Sequence, residues 1–306
     1  MSDFRSGFVA IVGRPNVGKS TLINALVGSK IAITSHHPNT TRSAIRGIVH
    51  GENFQAVLVD TPGVHKPKTL LGHRLNAVVD QSMDSVDVVI LCIPADETSG
   101  AGDIYIAQEI AKHPRAKKFA VITKTDLLSK EKLALRLTGI MELAQGFTWD
   151  EIIPVSAAIH DQIDLLNTLI GAALPVGPAY YPEGTTSDQA IEQLICEFIR
   201  EAALQDVREE LPHSIVVTID EFGEREEKGS RPFYDVHATI HVERDTQRAI
   251  LLGHQGTRLK EIGIRARADI ERALVAKIFL GLHIKVSKEW QRDARMLDKL
   301  GFEERR

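Results

Sequence analysis

Between Phe8 and about Leu174, short apolar runs alternate with stretches whose apolar residues recur at helical spacing. The runs are FVAIV (Phe8–Val12), QAVLVD (Gln55–Asp60), DVVILCI (Asp87–Ile93), FAVIT (Phe119–Thr123) and EIIPVS (Glu151–Ser156). Runs this continuous predict strands buried on both faces, and the helical stretches between them predict a doubly wound, mainly parallel α/β sheet covered on each side. Ligands of such folds bind beyond the carboxyl ends of the strands. Residues 175–188, PVGPAYYPEGTTSD, carry three prolines, two glycines and no periodicity, which predicts a linker. The pattern then changes to a helix from Gln189 to about Glu209, two alternating strands, a glycine break flanked by helices, a strand and a last helix. Val236, Ala238, Ile240 and Val242 fall on one strand face, and Leu280, Leu282, Ile284 and Val286 on another. The expected organisation is an α/β domain over 1–174, a linker over 175–188 and an α+β domain over 189–306.

Composition narrows the picture. With 306 residues and 43% hydrophobic content, two packed domains are affordable. The two cysteines, Cys92 and Cys196, form no disulfide framework or zinc spacing, which suits a reducing cytoplasm. Cys92 lies inside VVILCI and reads as a small core residue. The start, MSDFRSGF, has no signal-peptide character, and no apolar run approaches a membrane span. The net charge of −4 argues against a chain-wide nucleic-acid footprint, but residues 253–299 hold eleven Lys/Arg against six Asp/Glu. Of the twelve histidines, His36-His37 lie in a switch-like loop and the others are scattered, so no metal cluster is expected among them.

Candidate chemistry begins at Gly13–Thr21, GRPNVGKST. It matches G-x4-G-K-[ST] in full, with Gly13, Gly18, Lys19 and Ser20 at the fixed positions, Arg14, Pro15, Asn16 and Val17 between them, and Thr21 after. A strand precedes it and a helix, Ser20–Val27, follows, so backbone N–H groups and a helix N-terminus converge on one spot. A nucleoside triphosphate is expected there, with Lys19 on the β and γ phosphates and the Ser20 hydroxyl on Mg²⁺. Asp60-Thr61-Pro62-Gly63 closes a strand: Asp60 can hold Mg²⁺ through water, and the Gly63 N–H can meet the γ phosphate. At Thr123-Lys124-Thr125-Asp126, the Asp126 carboxylate can accept from the ring N–H and amine of guanine. Adenine would leave that charge unpaired. The Lys124 stem can lie along the base, and backbone N–H groups of Ser156-Ala157-Ala158 can reach guanine O6.

In the second half, Gly253-His254-Gln255-Gly256 is a G-x-x-G loop, worthless as a tetrapeptide but placed between two helices. The order helix–strand–strand–helix–GxxG–helix–strand resembles a type II KH domain, a reader of single-stranded RNA. Arg258, Lys260, Arg265, Arg267 and Arg272 follow closely and could meet phosphates; a solvated helix face accounts for some of them. Ile262, Ile270 and Leu274 are assigned to packing.

The first domain resembles the translation-factor-related GTPases, whose guanine motif usually begins with asparagine where Thr123 stands here. That resemblance implies that Thr41, in HPNTTR, ligates Mg²⁺ in the GTP state. It also sets Val64 where many relatives place a water-orienting glutamine, so slow intrinsic hydrolysis is implied. Asn16 matches a subgroup that uses K⁺ on the transferring phosphoryl; a loop-shaping role is the alternative. As a whole the chain resembles the Era family of bacterial GTPases, through GRPNVGKST, the TTR segment, DTPGVHKPK, YYPEG, ELPHS, VERDTQ, HIKVSKEW and LDKLGF. The resemblance implies a P-loop GTPase domain and a KH domain acting as a switch with Mg²⁺ and GTP/GDP. It further implies binding near the 3′ end of 16S ribosomal RNA, a role in small ribosomal subunit maturation, monomeric action and peripheral contact with the inner face of the membrane. A constitutive RNA-binding module with a relic GTPase domain is the competing reading. An enzyme modifying RNA is a third, without an acceptor or cofactor motif to support it.

Overall fold

Every one of the five apolar runs forms a strand in the computed structural model, which describes residues 3–32, 45–60, 86–144, 146–205, 214–225 and 231–300. They are β1 (Arg5–Val12), β3 (Phe54–Asp60), β4 (Val88–Pro94), β5 (Lys117–Thr123) and β6 (Glu151–Pro154), parallel where they pair. A further strand, β2 (Ile45–Gly51), was not expected. Two of its seven residues are glycine, which blurs the alternation. It pairs antiparallel to β3 and makes the sheet order β2-β3-β1-β4-β5-β6.

The unbroken apolarity of the strands follows from their two buried faces. Val9, Ile11, Leu58, Ile90, Cys92 and Val121 join one core with α1 (Lys19–Val27) and α4 (Ile163–Ala173). Their neighbours Ala10, Val12, Val89, Leu91, Ala120 and Ile122 join the other core with α2 (Ala101–Ala111) and α3 (Lys130–Met141). Period-two alternation therefore divides one run between two cores, and each fully buried Ile or Leu contributes roughly 1.5–3 kcal/mol. Cys92 is the small core residue expected; burial pushes its thiol up to about 12.

Residues 175–188 are not a free tether: they are tied to the first unit. Ser6 N–H donates to Pro175 O at 3.0 Å, and Gly177 N–H to Phe4 O at 3.0 Å. The Gln55 amide meets the backbone of Tyr180 and Tyr181, and Ile48 N–H reaches Thr186 O at 2.9 Å on the open edge of β2. Covering that edge removes a row of unpaired backbone groups. The stretch lacks periodicity because its bonds run through backbone and single side chains. Among described residues the boundary between the two compact units falls after Asp188.

In the second unit α5 (Ile191–Leu204) precedes β7 (Val216–Arg225), β8 (Phe233–Val242), α6 (Asp245–Leu252), α7 (Thr257–Leu274), β9 (Lys277–Val286) and α8 (Ala294–Lys299). The sheet order is β7-β8-β9, with β7 antiparallel and β9 parallel to β8. Val236, Ala238, Ile240 and Val242 pack with Ile195, Phe198, Ile262 and Ile270 in one core, with Leu274 against its edge. This is the α+β element order and the packing assignment expected from the sequence. Trp290 is fully buried, its indole N–H donating to Ser214 O at 3.1 Å.

Candidate nucleotide and nucleic-acid sites

The loop between β1 and α1 needs its glycines. Gly13 has φ 155°, and a Cβ there would lie 2.7 Å from Cys92 O. Gly18 sits at φ 99°, and Asn16 at φ 63° also takes a left-handed turn. Val17 anchors the loop in the core, while Asn16 and Thr21 are exposed and Pro15 half-buried. Lys19 curls back so that its Nζ donates to Gly13 O at 3.0 Å and Arg14 O at 2.9 Å. Burial lowers its pKa from the ordinary lysine value, and the attraction of Asp60 offsets this only in part. The Ser20 hydroxyl donates to Oδ2 of the fully buried Asp60 at 3.0 Å. Two hard oxygen donors thus meet beside the lysine, a set that suits Mg²⁺. Thr41, Thr61, Pro62, Gly63 and Val64 lie outside the described residues.

At the end of β5 the chain turns sharply: Lys124 has φ 59°, and Thr125–Leu127 forms a single 3₁₀ turn. Thr125 N–H donates to Val155 O at 3.3 Å, tying this turn to the end of β6. There the buried Ser156 donates its hydroxyl to Asp126 Oδ1 at 2.5 Å, which aims an exposed carboxylate, with Ala157 following half-buried. Lys124 Nζ stands 3.9 Å from Asp96 Oδ1. Thr123, buried, donates its hydroxyl to Val17 O at 2.5 Å, joining the base-side turn to the phosphate loop. The Thr123 hydroxyl thus has a bridging task of its own.

One feature of the loop carried no sequence signal. Arg14 leaves the loop sideways, its Nε donating to Asp103 Oδ1 at 2.8 Å and its NH2 to Glu97 Oε2 at 3.0 Å. These partners lie 89 and 83 residues away, on and just before α2 respectively.

In the second unit Gly253 has φ 69° and ψ −176°, a region essentially closed to residues with a Cβ. A Cβ there would stand 2.8 Å from Arg258 Cβ. His254 and Gln255 are exposed, and Gly256 at φ 79° starts α7. A cavity of about 690 Å³ runs from Gly256 along Leu259, Lys260, Gly263 and Arg267 to Glu271, facing Ile278, Leu280 and Leu282 of β9. Gly256 to Glu271 is fifteen residues of helix, or about 22 Å. Lys277 N–H bonds to Pro232 O and Ser287 N–H to Val242 O, so odd positions of β9 pair with β8. Even positions then turn their N–H and C=O toward the cavity, as Ile278 N–H does in reaching Glu271 Oε1 at 3.3 Å. The expected basic residues divide. Lys260 and Arg267 line the groove, the latter 3.8 Å from Glu271. Arg258 and Arg265 hold the Gln205 carbonyl and side chain, at 3.0 and 3.1 Å, at the end of α5. Arg272 pairs with Asp269 at 3.1 Å.

Among the described residues no three His, Cys, Asp or Glu side chains gather as a metal-holding group. No described helix is long and apolar enough to cross a membrane.

Residues 8–124 match the family model described as a 50S ribosome-binding GTPase, and residues 210–291 match the KH domain model. GTPase Era of Nocardioides sp. is 52% identical over 301 residues, covering 97% of this chain and 96% of that protein. GTPase Era of Mycobacterium bovis is 53% identical over 304 residues, 99% of this chain and 100% of that protein. A crystal structure of Era in complex with MgGDPNP and nucleotides 1506–1542 of 16S ribosomal RNA superposes with a TM-score of 0.92 at 34% identity, covering 98% of this chain and all of that one. An Aquifex aeolicus Era variant bound to GDP·AlF4⁻ superposes with a TM-score of 0.91 at 34% identity and the same coverage.

Proposed function

The chain belongs to the Era family of GTPases, and from that premise we propose a nucleotide-gated RNA switch that serves assembly of the small ribosomal subunit. GTP is held in the first unit. Single-stranded RNA from the 3′ end of 16S ribosomal RNA lies in the groove between α7 and β9. The observation that carries the reading is the pairing of two sites in one chain: a phosphate loop bridged by Thr123 to a guanine-side carboxylate, and a GxxG groove about 22 Å long.

In the first unit Lys19 would leave the Gly13 and Arg14 carbonyls for the β and γ phosphates. Asp126, held by Ser156, would accept from guanine, with Lys124 along the base and Ala157 at O6. Ser20 and Asp60 would hold Mg²⁺, with Thr41 joining them in the GTP state; bound there, the ion neutralises charge on the phosphate oxygens. Gly63 would offer its N–H to the γ phosphate. Val64 cannot orient water through a side-chain hydrogen bond, so slow turnover belongs to this reading. Asn16, exposed at the loop's left-handed turn, is the residue through which K⁺ would enter.

In the second unit Gly253 and Gly256 let a sugar-phosphate strand approach, flanked by His254 and Gln255. Lys260 and Arg267 meet phosphates from within the groove. Bases lie on Leu259, Leu280 and Leu282 and face the outward backbone of β9. Arg258 and Arg265, engaged by Gln205, act behind the loop. Cys92 and Cys196 are free thiols, their pKa values each pushed up to about 12 by burial. A cytoplasmic monomer fits them, with peripheral contact at the inner membrane face as the resemblance implies.

The test measures binding of the full chain to a strand copying the 16S 3′ end, against a scrambled strand. It is run with a non-hydrolysable GTP analogue, with GDP and without nucleotide. Selective binding strengthened by the GTP analogue is expected. Selective binding indifferent to nucleotide would replace the switch with the constitutive module, and no selectivity would remove the RNA assignment. Hydrolysis in K⁺ and in Na⁺ buffers, for wild type and Asn16→Ala, tests the cation.

A further inference from the structure

Most of the phosphate loop is fixed from inside: Val17 by the core, Gly13 by the close passage of Cys92, and Val17 O by Thr123. Arg14 is the exception, because its side chain is fixed from outside. Its guanidinium spans two carboxylates, Asp103 at 2.8 Å and Glu97 at 3.0 Å. Asp103 has no exposure at all. Its second oxygen, Oδ2, accepts from Gly100 N–H at 2.9 Å at the start of α2. One carboxylate therefore caps a helix and grips the loop together.

The residue before it completes the seat. Gly102 lies within the first turn of α2, where alanine would serve the helix better. A Cβ at that position would stand 2.8 Å from Arg14 Cδ and 3.2 Å from its Cγ. The arginine stem cannot swing away cheaply, because its guanidinium is held at both ends. Gly102 thus leaves the space through which the stem passes, and Asp103 holds what passes. Burial works against the charge of Arg14, but the bonds to Asp103 and Glu97 outweigh it, and its pKa lies above the ordinary arginine value.

The backbone of this same residue carries Lys19. The Gly13 and Arg14 carbonyls accept the Lys19 ammonium at 3.0 and 2.9 Å. Whatever moves the Arg14 Cα moves the two oxygens that hold the lysine and the neighbouring N–H groups that would face phosphate. We propose that Arg14 is a positioning residue for nucleotide binding: seated on Gly102 and Asp103, it holds the Gly13–Arg14 backbone and Lys19 in their receptive course, which couples α2 to the phosphate site.

The proposal rests on reading the loop as the phosphate site, and it has a distinctive kinetic consequence. A loop that cradles the β phosphate touches GDP, GTP and the transition state alike. Losing its alignment removes uniform binding, which raises KM and leaves kcat unchanged. Asp103→Asn and Gly102→Ala unseat Arg14 by different routes, one by charge and one by bulk. Both should weaken GDP and GTP by similar factors, about tenfold for the lost charge-assisted bond, with kcat within about twofold. Gly102→Ala also discriminates against a purely structural role, since alanine improves helix propensity and by itself predicts a more stable protein with unchanged affinity.

The experiment measures fluorescent GDP and GTP affinities, and kcat with KM, on the full chain carrying Gly102→Ala, Arg14→Ala and both, with Asp103→Asn and Lys19→Ala alongside. In the Arg14→Ala background no stem remains to be displaced, so Gly102→Ala should have no further effect. Additive effects in the double variant would overturn the proposal, as would a fall in kcat at unchanged KM, or unchanged affinities in both Gly102→Ala and Asp103→Asn. If Asp103→Asn does not fold, the Gly102–Arg14 cycle decides alone. Lys19→Ala separates the two claims: retained nucleotide affinity in that variant sinks the reading of the site itself, whereas its loss beside normal binding by both Gly102→Ala and Asp103→Asn sinks only the seat.

Discussion

The nucleotide site and the GxxG groove are built on opposite plans. In the first, the polar side chains among the described residues are tied to one another and to backbone: Lys19 to two carbonyls, Ser20 to Asp60, Thr123 to Val17 and Ser156 to Asp126. In the second, the walls are mainly apolar side chains and the outward backbone of β9, with Lys260 and Arg267 among the lining. A network of short polar bonds in a buried site tolerates few alternatives, because each loss strands a desolvated partner. A groove defined by backbone and by apolar volume accepts many side chains, His254 and Gln255 between its glycines among them.

The largest effect expected from breaking this contrast is at Lys19. Lys19→Ala should lower GTP affinity about a hundredfold, since a charge-assisted phosphate contact is lost, while RNA affinity without nucleotide stays unchanged. Stability should move the other way. The folded Lys19 pKa is depressed below the unfolded value of 10.5, chiefly by burial. The unfolded chain therefore binds more protons between those two values, so this residue's contribution to stability rises with pH through that window. Denaturant unfolding of nucleotide-free wild type and Lys19→Met at pH 7 and above pH 9 checks the sign: wild type should gain on the variant as pH rises.

Next comes Gly253, the corresponding point of strain in the groove. Gly253→Ala forces a Cβ into φ 69°, ψ −176° and against Arg258, at a cost of about 1–3 kcal/mol. RNA affinity should fall steeply while GTP affinity holds, as parallel titrations of both ligands would show. A matching loss of GTP affinity would break the separation of the two sites.

Thr123→Val tests the bridge inside the first site. It keeps the volume and deletes the hydroxyl, leaving Val17 O without that donor, so nucleotide affinity should fall about tenfold. Guanine preference over adenine should persist, because Asp126 and Ser156 are untouched. A collapse of base selectivity would move part of the recognition from Asp126 to Thr123.

These expectations also mark what the sequence could disclose. The glycines of the phosphate loop and Lys19 were legible because backbone conformation and phosphate chemistry restrict residue types at fixed spacing. The apolar runs of strands β1, β4 and β5 were legible because burial on both faces leaves few polar positions. The β2 strand was not, since a glycine-bearing edge strand borrows its order from β3 and from residues 175–188. Those residues show no periodicity for a related reason: a segment that pairs by backbone needs none. The Arg14 seat left no trace, because Glu97, Gly102 and Asp103 reach it only through the fold. In the groove, the cluster of cations was visible but its division was not. Whether an arginine at α7 faces the cavity or α5 depends on where Gln205 ends its helix.

That division supplies the smallest and most discriminating prediction. Lys260 and Arg267 line the groove, whereas Arg258 and Arg265 spend their guanidinium groups on Gln205. Removing a groove cation should weaken RNA binding about three- to tenfold for any sequence and reduce the slope of log affinity against log salt by about one. Removing Arg258 or Arg265 should instead destabilise the second unit by about 1 kcal/mol for a lost hydrogen bond, seen as a lower unfolding midpoint, with the salt slope intact. Titrations of Lys260→Ala and Arg258→Ala at several salt concentrations, beside their denaturation curves, separate the two roles. Should both change the slope equally, Gln205 releases its arginines when RNA arrives, and the groove is then assembled by its ligand while the nucleotide site is assembled before it.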